Sequence, residues 1–202
     1  RNLYLPYVPR RIAELNPAAK LLVILRNPAE RAYSHWWYWH ARGTDPLSFR
    51  EAIEADFRRI ENGYRLETFE ERTRYLQFLS KDGKGIYRTY LDSGYYFEQI
   101  SRYLALFPQE QLKIVLLDDI EQVPFRTITD IELFLGLQPR SEADFEAIHL
   151  NAHPHGKPSN EPYGQIDADT MNWLIAHYHP HNDRLQTLLK RDLTHWNQFN
   201  SQ

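Results

Sequence analysis

An apolar run that ends on an arginine, turns through Asn27-Pro28 and enters a helix constrains this chain more than any other feature: Lys20 to Ser34 reads KLLVILRNPAERAYS. Leu21 to Leu25 has no polar alternation and is too short for a helix, which suits a central parallel strand buried on both faces. Pro28 fixes φ and fits the first turn of the next helix, where its missing N–H goes unused. Open α/β sheets bind ligands at such a junction, because the free N–H groups of the helix's first turn face negative charge. Arg26, at the strand's carboxyl end, offers a planar fork of donors matching phosphate oxygens; Ser34, eight residues on, offers a hydroxyl to the same group. Each charge-assisted hydrogen bond contributes about 1.5–3 kcal/mol, so two or three decide affinity for a phosphorylated ligand. Spacing alone leaves a second assignment open, with Arg26 paired to Glu30 or another carboxylate and Ser34 a helix filler.

The rest of the chain extends the layout. Helices are predicted from about Pro28 to Arg42 and from Ser48 to Asn62, where Ser48-Phe-Arg-Glu51 reads as a capping box and Gly63 as a stop. Phe49, Ala52, Ile53, Phe57 and Ile60 recur at helical spacing and should face the core. A helix from about Gly94 to Leu106 ends before Phe107-Pro108. Leu112 to Leu117 is a second buried strand ending on Asp118-Asp119, and Val123 to Leu135 a helix stopped by Gly136. A turn-rich loop from Asn151 to Gly164 precedes helices near Asp169 to His179 and His181 to Leu189, with Pro180 breaking the segment. Short apolar strands between amphipathic helices make an α/β protein, most simply one domain over residues 1–202.

Composition removes several function classes. A net charge of −3 argues against general nucleic-acid or anionic-membrane binding, and no stretch approaches the roughly 18 apolar residues of a membrane span. The chain has no cysteine, which excludes disulfides, thiolate nucleophiles and cysteine-ligated zinc. His153-x-His155 and His177-x-His179-Pro-His181 bring imidazoles close in sequence, but alternate residues diverge on a helix; surface and helix-end positions are the expectation, with no metal. Trp36, Trp37, Tyr38 and Trp39 cannot share one helical face, so some belong to the core and others to a cleft or interface.

LRNPAERAYSHW (Leu25 to Trp36) and four later segments carry a family resemblance: Asp45 to Gly63, Tyr90 to Ile120, Phe134 to Leu137 and His181 to Trp196. In order, through nearly the whole chain, they resemble the sulfotransferases that use 3′-phosphoadenosine 5′-phosphosulfate (PAPS), notably bacterial members and the sulfotransferase domain of heparan sulfate N- and O-sulfotransferases. The resemblance implies a P-loop-type parallel sheet flanked by helices, with Arg26 and Ser34 on the 3′-phosphate of PAPS. A basic glycine-containing loop covers that phosphate in the family, and Gly156-Lys157 is its nearest counterpart; Gly94 and Tyr96 match a Gly-x-Tyr segment on the substrate side. The family also opens with a strand and a Pro-Lys-x-Gly-Thr-Thr loop that wraps the 5′-phosphosulfate and supplies a catalytic lysine. Nothing here matches it, and Arg1 to Leu5 corresponds to a point beyond it. The expected fold is therefore incomplete at the N-terminus, the later portion of the family domain. No catalytic residue is assignable, and these residues by themselves are not expected to transfer sulfuryl groups. Tyr4 stands where cytosolic sulfotransferases carry histidine, and a side chain with a pKa near 10 is a poor base at neutral pH.

The implied reaction is in-line sulfuryl transfer from PAPS to a hydroxyl or amine of a small molecule, polyketide or saccharide. It leaves adenosine 3′,5′-bisphosphate and needs no metal. Golgi heparan sulfotransferases commonly carry a disulfide, so a cysteine-free chain implies a cytoplasmic, bacterial relative. Two alternatives stay open: a P-loop kinase-like phosphotransferase, whose Walker loop does not occur in these residues, and a non-catalytic nucleotide-binding or assembly module. Oligomeric state has no sequence signature here.

Overall fold

The computed structural model describes residues 2–63, 68–71, 73–74, 88–145 and 167–198. In chain order the elements are α1 (Val8–Leu15), β1 (Leu21–Leu25), α2 (Pro28–His40), α3 (Phe49–Glu61), α4 (Tyr96–Leu104), β2 (Leu112–Leu116), α5 (Leu117–Gln122), α6 (Pro124–Leu135) and α7 (Ala168–Leu189). They fall into two compact units. Tyr7–Arg26 and Ser101–His153 form a sheet unit; Arg1–Pro6, Asn27–Ile100 and Pro154–Gln202 form a helical unit.

In the sheet unit β1 and β2 pair in parallel, Leu21 opposite Leu112 through Leu25 opposite Leu116. Parallel pairing places both carboxyl ends on one side, with Arg26 after β1 and α5 after β2. The strand expected to be buried on both faces is not. Leu25 is 1% exposed, but Leu22 and Ile24 are 39% and 53% exposed, because one face of β1 carries no cover among the described residues. β2 stops one residue earlier than its apolar run suggests. The Asp119 carboxylate accepts a hydrogen bond from the Leu116 N–H at 3.2 Å and turns the chain straight into α5. Gly136, at φ 81°, ends α6 as expected, and the Leu137 N–H reaches back to the Glu132 carbonyl at 2.9 Å.

The core of the helical unit joins Ala29, Ala32, Tyr33 and Trp36 of α2 to Phe49, Ala52 and Ile53 of α3, and to Met171, Leu174 and Tyr178 of α7. The Tyr33 ring meets Phe49 edge-on at 5.1 Å. The capping box at α3 forms: the Glu51 carboxylate accepts from the Ser48 N–H at 2.9 Å, and Ser48 Oγ accepts from the Glu51 N–H at 3.4 Å. α7 runs unbroken through Pro180, against the expected break. Proline removes one backbone bond, at about 3 kcal/mol in a helix interior. The buried stripe Met171, Leu174, Tyr178, Asn182 and Leu185 continues on both sides of it and holds the helix together.

A buried ionic network ties the start of the chain to this unit. Arg59 meets Asp56 at 2.6 Å and Asp92 at 2.8 Å; Tyr4 Oη donates to Asp92 at 2.8 Å, and the Leu91 N–H donates to Asp56 at 2.8 Å. Asp56 is fully buried and Arg59 4% exposed. Tyr4, given no catalytic role by sequence, has a structural one.

Gly94 is explained by packing. A Cβ there would lie 2.7–2.9 Å from the Tyr178 ring, whose hydroxyl donates to the Leu91 carbonyl at 2.8 Å and cannot easily retreat. Gly94→Ala is expected to lower stability by about 1–3 kcal/mol, read as an earlier urea midpoint with an unchanged slope.

Candidate functional site

The α2 N-terminus is set by Asn27, whose side chain accepts from the Ala29 N–H at 3.0 Å and donates to the Trp196 carbonyl at 3.3 Å. Pro28 occupies the first turn, as its position predicted. Arg26 follows β1 in the sheet unit and is half-buried; Ser34 rides α2 in the helical unit and is also half-buried. Gly156 and Lys157 lie outside the described residues, as do His153 and His155.

The buried stripe of α2 is Pro28, Ala29, Ala32, Tyr33 and Trp36. Ser34 falls off that stripe, one turn from Arg31 and one turn from Trp37 and Tyr38. Among the described residues its hydroxyl makes no hydrogen bond. Sequence reasoning passed over Arg31, the other polar group on this flank. Its Nη2 donates to the Tyr90 carbonyl, while its buried Nε has no hydrogen-bond partner among the described residues. Its signal was its place three residues before Ser34, which puts the two on neighbouring helical positions. The flank thus carries a hydroxyl and a guanidinium N–H that the described residues leave unused, a donor set suited to an anion.

Behind this flank the packing is fixed by charge. Asp45, fully buried, accepts two bonds from Arg88 at 2.9 and 2.7 Å and one from Tyr90 Oη at 2.8 Å. Burial and the Asp45 acceptor push the Tyr90 hydroxyl well above its ordinary pKa, so it stays a donor. Trp36 Nε1 donates to the Leu47 carbonyl at 3.0 Å, and His40 Nδ1 to the Asp45 carbonyl at 2.8 Å. The aromatic run divides as its spacing requires. Trp36 is buried, Trp37 and Trp39 are half-buried, and Tyr38 is exposed with the Arg42 guanidinium 3.5 Å above its ring. Tyr96, expected near substrate, is 4% exposed and meets Trp196 edge-on, so it belongs to the core.

α7 adds a histidine pair. His177 and His181, four apart, both contact Tyr95: its hydroxyl and His177 Nε2 share a hydrogen bond at 2.9 Å, and its ring stacks on His181 at 4.1 Å. Burial, with His181 nearby, pushes His177 down to about 4, unlike the surface position expected for it. A histidine depressed from about 6.5 binds protons more readily when unfolded, so its share of stability is whole above pH 6.5 and is lost as pH falls toward 4. In an NMR titration the His177 ring should stay neutral until about pH 4, and His177→Gln should flatten that part of the stability profile. No three His, Asp or Glu groups among the described residues converge to hold a metal ion.

The sulfotransferase domain family matches residues 5–153. Mouse bifunctional heparan sulfate N-deacetylase/N-sulfotransferase 3 is 30% identical over 202 residues, covering 91% of this chain and 20% of that protein. Human bifunctional heparan sulfate N-deacetylase/N-sulfotransferase 2 is 29% identical over the same shares. The chain therefore spans about a fifth of the length of the curated relatives it matches. The crystal structure of a sulfotransferase from Alicyclobacillus acidocaldarius superposes with a TM-score of 0.68 at 26% identity, covering 97% of this chain and 64% of that one. No helix among the described residues is long and apolar enough to cross a membrane.

Proposed function

Because the chain belongs to the sulfotransferase family, we propose that it supplies the 3′-phosphate side of a PAPS site in an enzyme that sulfates a hydroxyl or amine of a saccharide. The observation that carries this reading is the pair of donors on one flank of α2, Ser34 Oγ and Arg31 Nε, for which the described residues provide no acceptor. Arg26, Ser34, Gly156 and Lys157 would hold the 3′-phosphate, and residues 1–202 would act as one domain. PAPS supplies the activated sulfuryl group and leaves as adenosine 3′,5′-bisphosphate. The chain's own part is to bind and orient: a guanidinium fork and a hydroxyl donate to phosphate oxygens, while the packed, hydrogen-bonded residues behind α2 keep the helix from shifting. The names of the relatives, heparan sulfate N-sulfotransferases, favour a saccharide over a polyketide or other small molecule.

Calorimetric titration with adenosine 3′,5′-bisphosphate is the test. The wild-type chain should bind it, and Ser34→Ala should weaken binding about tenfold, the equivalent of one charge-assisted hydrogen bond. A folded wild type that takes up none of this nucleotide would remove the reading.

A further inference from the structure

A cleft of about 530 Å³ opens between α3 and the first turns of α7, within the helical unit. Its distinctive wall is Trp173, 41% exposed, whereas the chain's other four tryptophans are buried or half-buried. The ring is braced: Phe57 meets it edge-on at 5.5 Å, and His177 stacks on it at 4.9 Å with 14° between planes. A braced aromatic ring that stays 41% exposed gives the cleft wall an open apolar surface. The polar lining carries both signs. Arg50 and Arg58 bracket Glu54 on α3 at 3.3 and 3.7 Å, and Asp169 stands on α7, so two positive charges meet two negative ones. Thr170, 5% exposed, lines the same cleft, and its Oγ1 has no hydrogen-bond partner among the described residues.

We propose that this cleft binds an uncharged pyranose ring of an oligosaccharide. The C–H face of a pyranose packs on a flat indole, while its hydroxyls, each donor and acceptor, use guanidinium donors, carboxylate acceptors and a threonine hydroxyl together. Balanced charge gives no field to capture a polyanion, and a wholly apolar occupant would strip water from four ionic groups without replacing their hydrogen bonds. The inference goes beyond the nucleotide reading and does not depend on it.

Chitohexaose, a neutral probe, titrated against the chain with tryptophan fluorescence as readout, tests it. A saturable change is expected in the wild type. Trp173→Ala should weaken binding about tenfold or more, Trp173→Phe should keep most of it, and Thr170→Val should weaken it several-fold, all with unchanged circular dichroism. Chitohexaose affinity equal in Trp173→Ala and wild type, or no saturable change in the folded wild type, overturns the proposal. So does a heparin fragment that binds more tightly than chitohexaose, loses its affinity in salt and depends on Trp173. Retained chitohexaose binding without adenosine 3′,5′-bisphosphate binding leaves the cleft standing and removes the transfer reading instead.

Discussion

Replacing Arg59 by alanine is expected to destabilise the helical unit by about 3–5 kcal/mol, the range for removing one partner of a buried ion pair. The cause is what the substitution leaves behind rather than the bonds it removes. Asp56 and Asp92 both face this guanidinium, at 2.6 and 2.8 Å, and Asp56 has no water to turn to. Burial already drives the Asp56 carboxyl upward, and Arg59 opposes that drift. Without Arg59, two carboxylates share a site with no counter-charge. Asp56→Asn in the Arg59→Ala background should therefore recover part of the loss, since it removes one of the stranded charges while leaving a group that can still accept from the Leu91 N–H. Tyr4→Phe, which deletes a single hydrogen bond to Asp92, should cost only about 1 kcal/mol. Urea unfolding of the three variants beside wild type checks the order; an Arg59→Ala loss below that of Tyr4→Phe would mean the network is solvated.

Arg26→Ala is the second large effect, and it is expected in binding. A guanidinium donating two bonds to a phosphate contributes more than one neutral hydrogen bond, so loss of about 10- to 100-fold in affinity for adenosine 3′,5′-bisphosphate is expected. Arg26→Lys restores the charge but not the fork, and its affinity should fall between those of wild type and alanine. It should also lean more on low salt, since a point charge acts through the field rather than through paired geometry.

What was legible in the sequence was local. The strand-turn-helix of Leu21 to Ser34, the Ser48–Glu51 capping box and the Gly136 stop each depend on residues a few positions apart, and each forms where its pattern places it. What escaped depends on distant neighbours. The open Leu22–Ile24 face is a property of what lies over β1, which a run of five apolar letters does not encode. Pro180 looked like a break because proline removes a backbone bond, yet the buried stripe on either side outweighs it. Asp45 and Arg88 are 43 residues apart, and nothing in either neighbourhood announces their pairing. In the proposed site, Ser34 is marked by its spacing from Arg26, and Arg31 is hidden by sitting inside the same motif; Tyr96, expected on the substrate side, packs in the core, while Tyr95, beside it, meets the α7 histidines. α1 drew no attention, although Pro9 in its first turn is an ordinary start signal.

Binding of adenosine 3′,5′-bisphosphate compared with 5′-AMP, in wild type and in Arg26→Ala, isolates the contact on which the account turns. The wild type should prefer the bisphosphate by about tenfold or more, and Arg26→Ala should lose that preference while its weaker affinity for 5′-AMP stays nearly unchanged. A preference of equal size in both proteins would place the 3′-phosphate away from Arg26 and contradict the account.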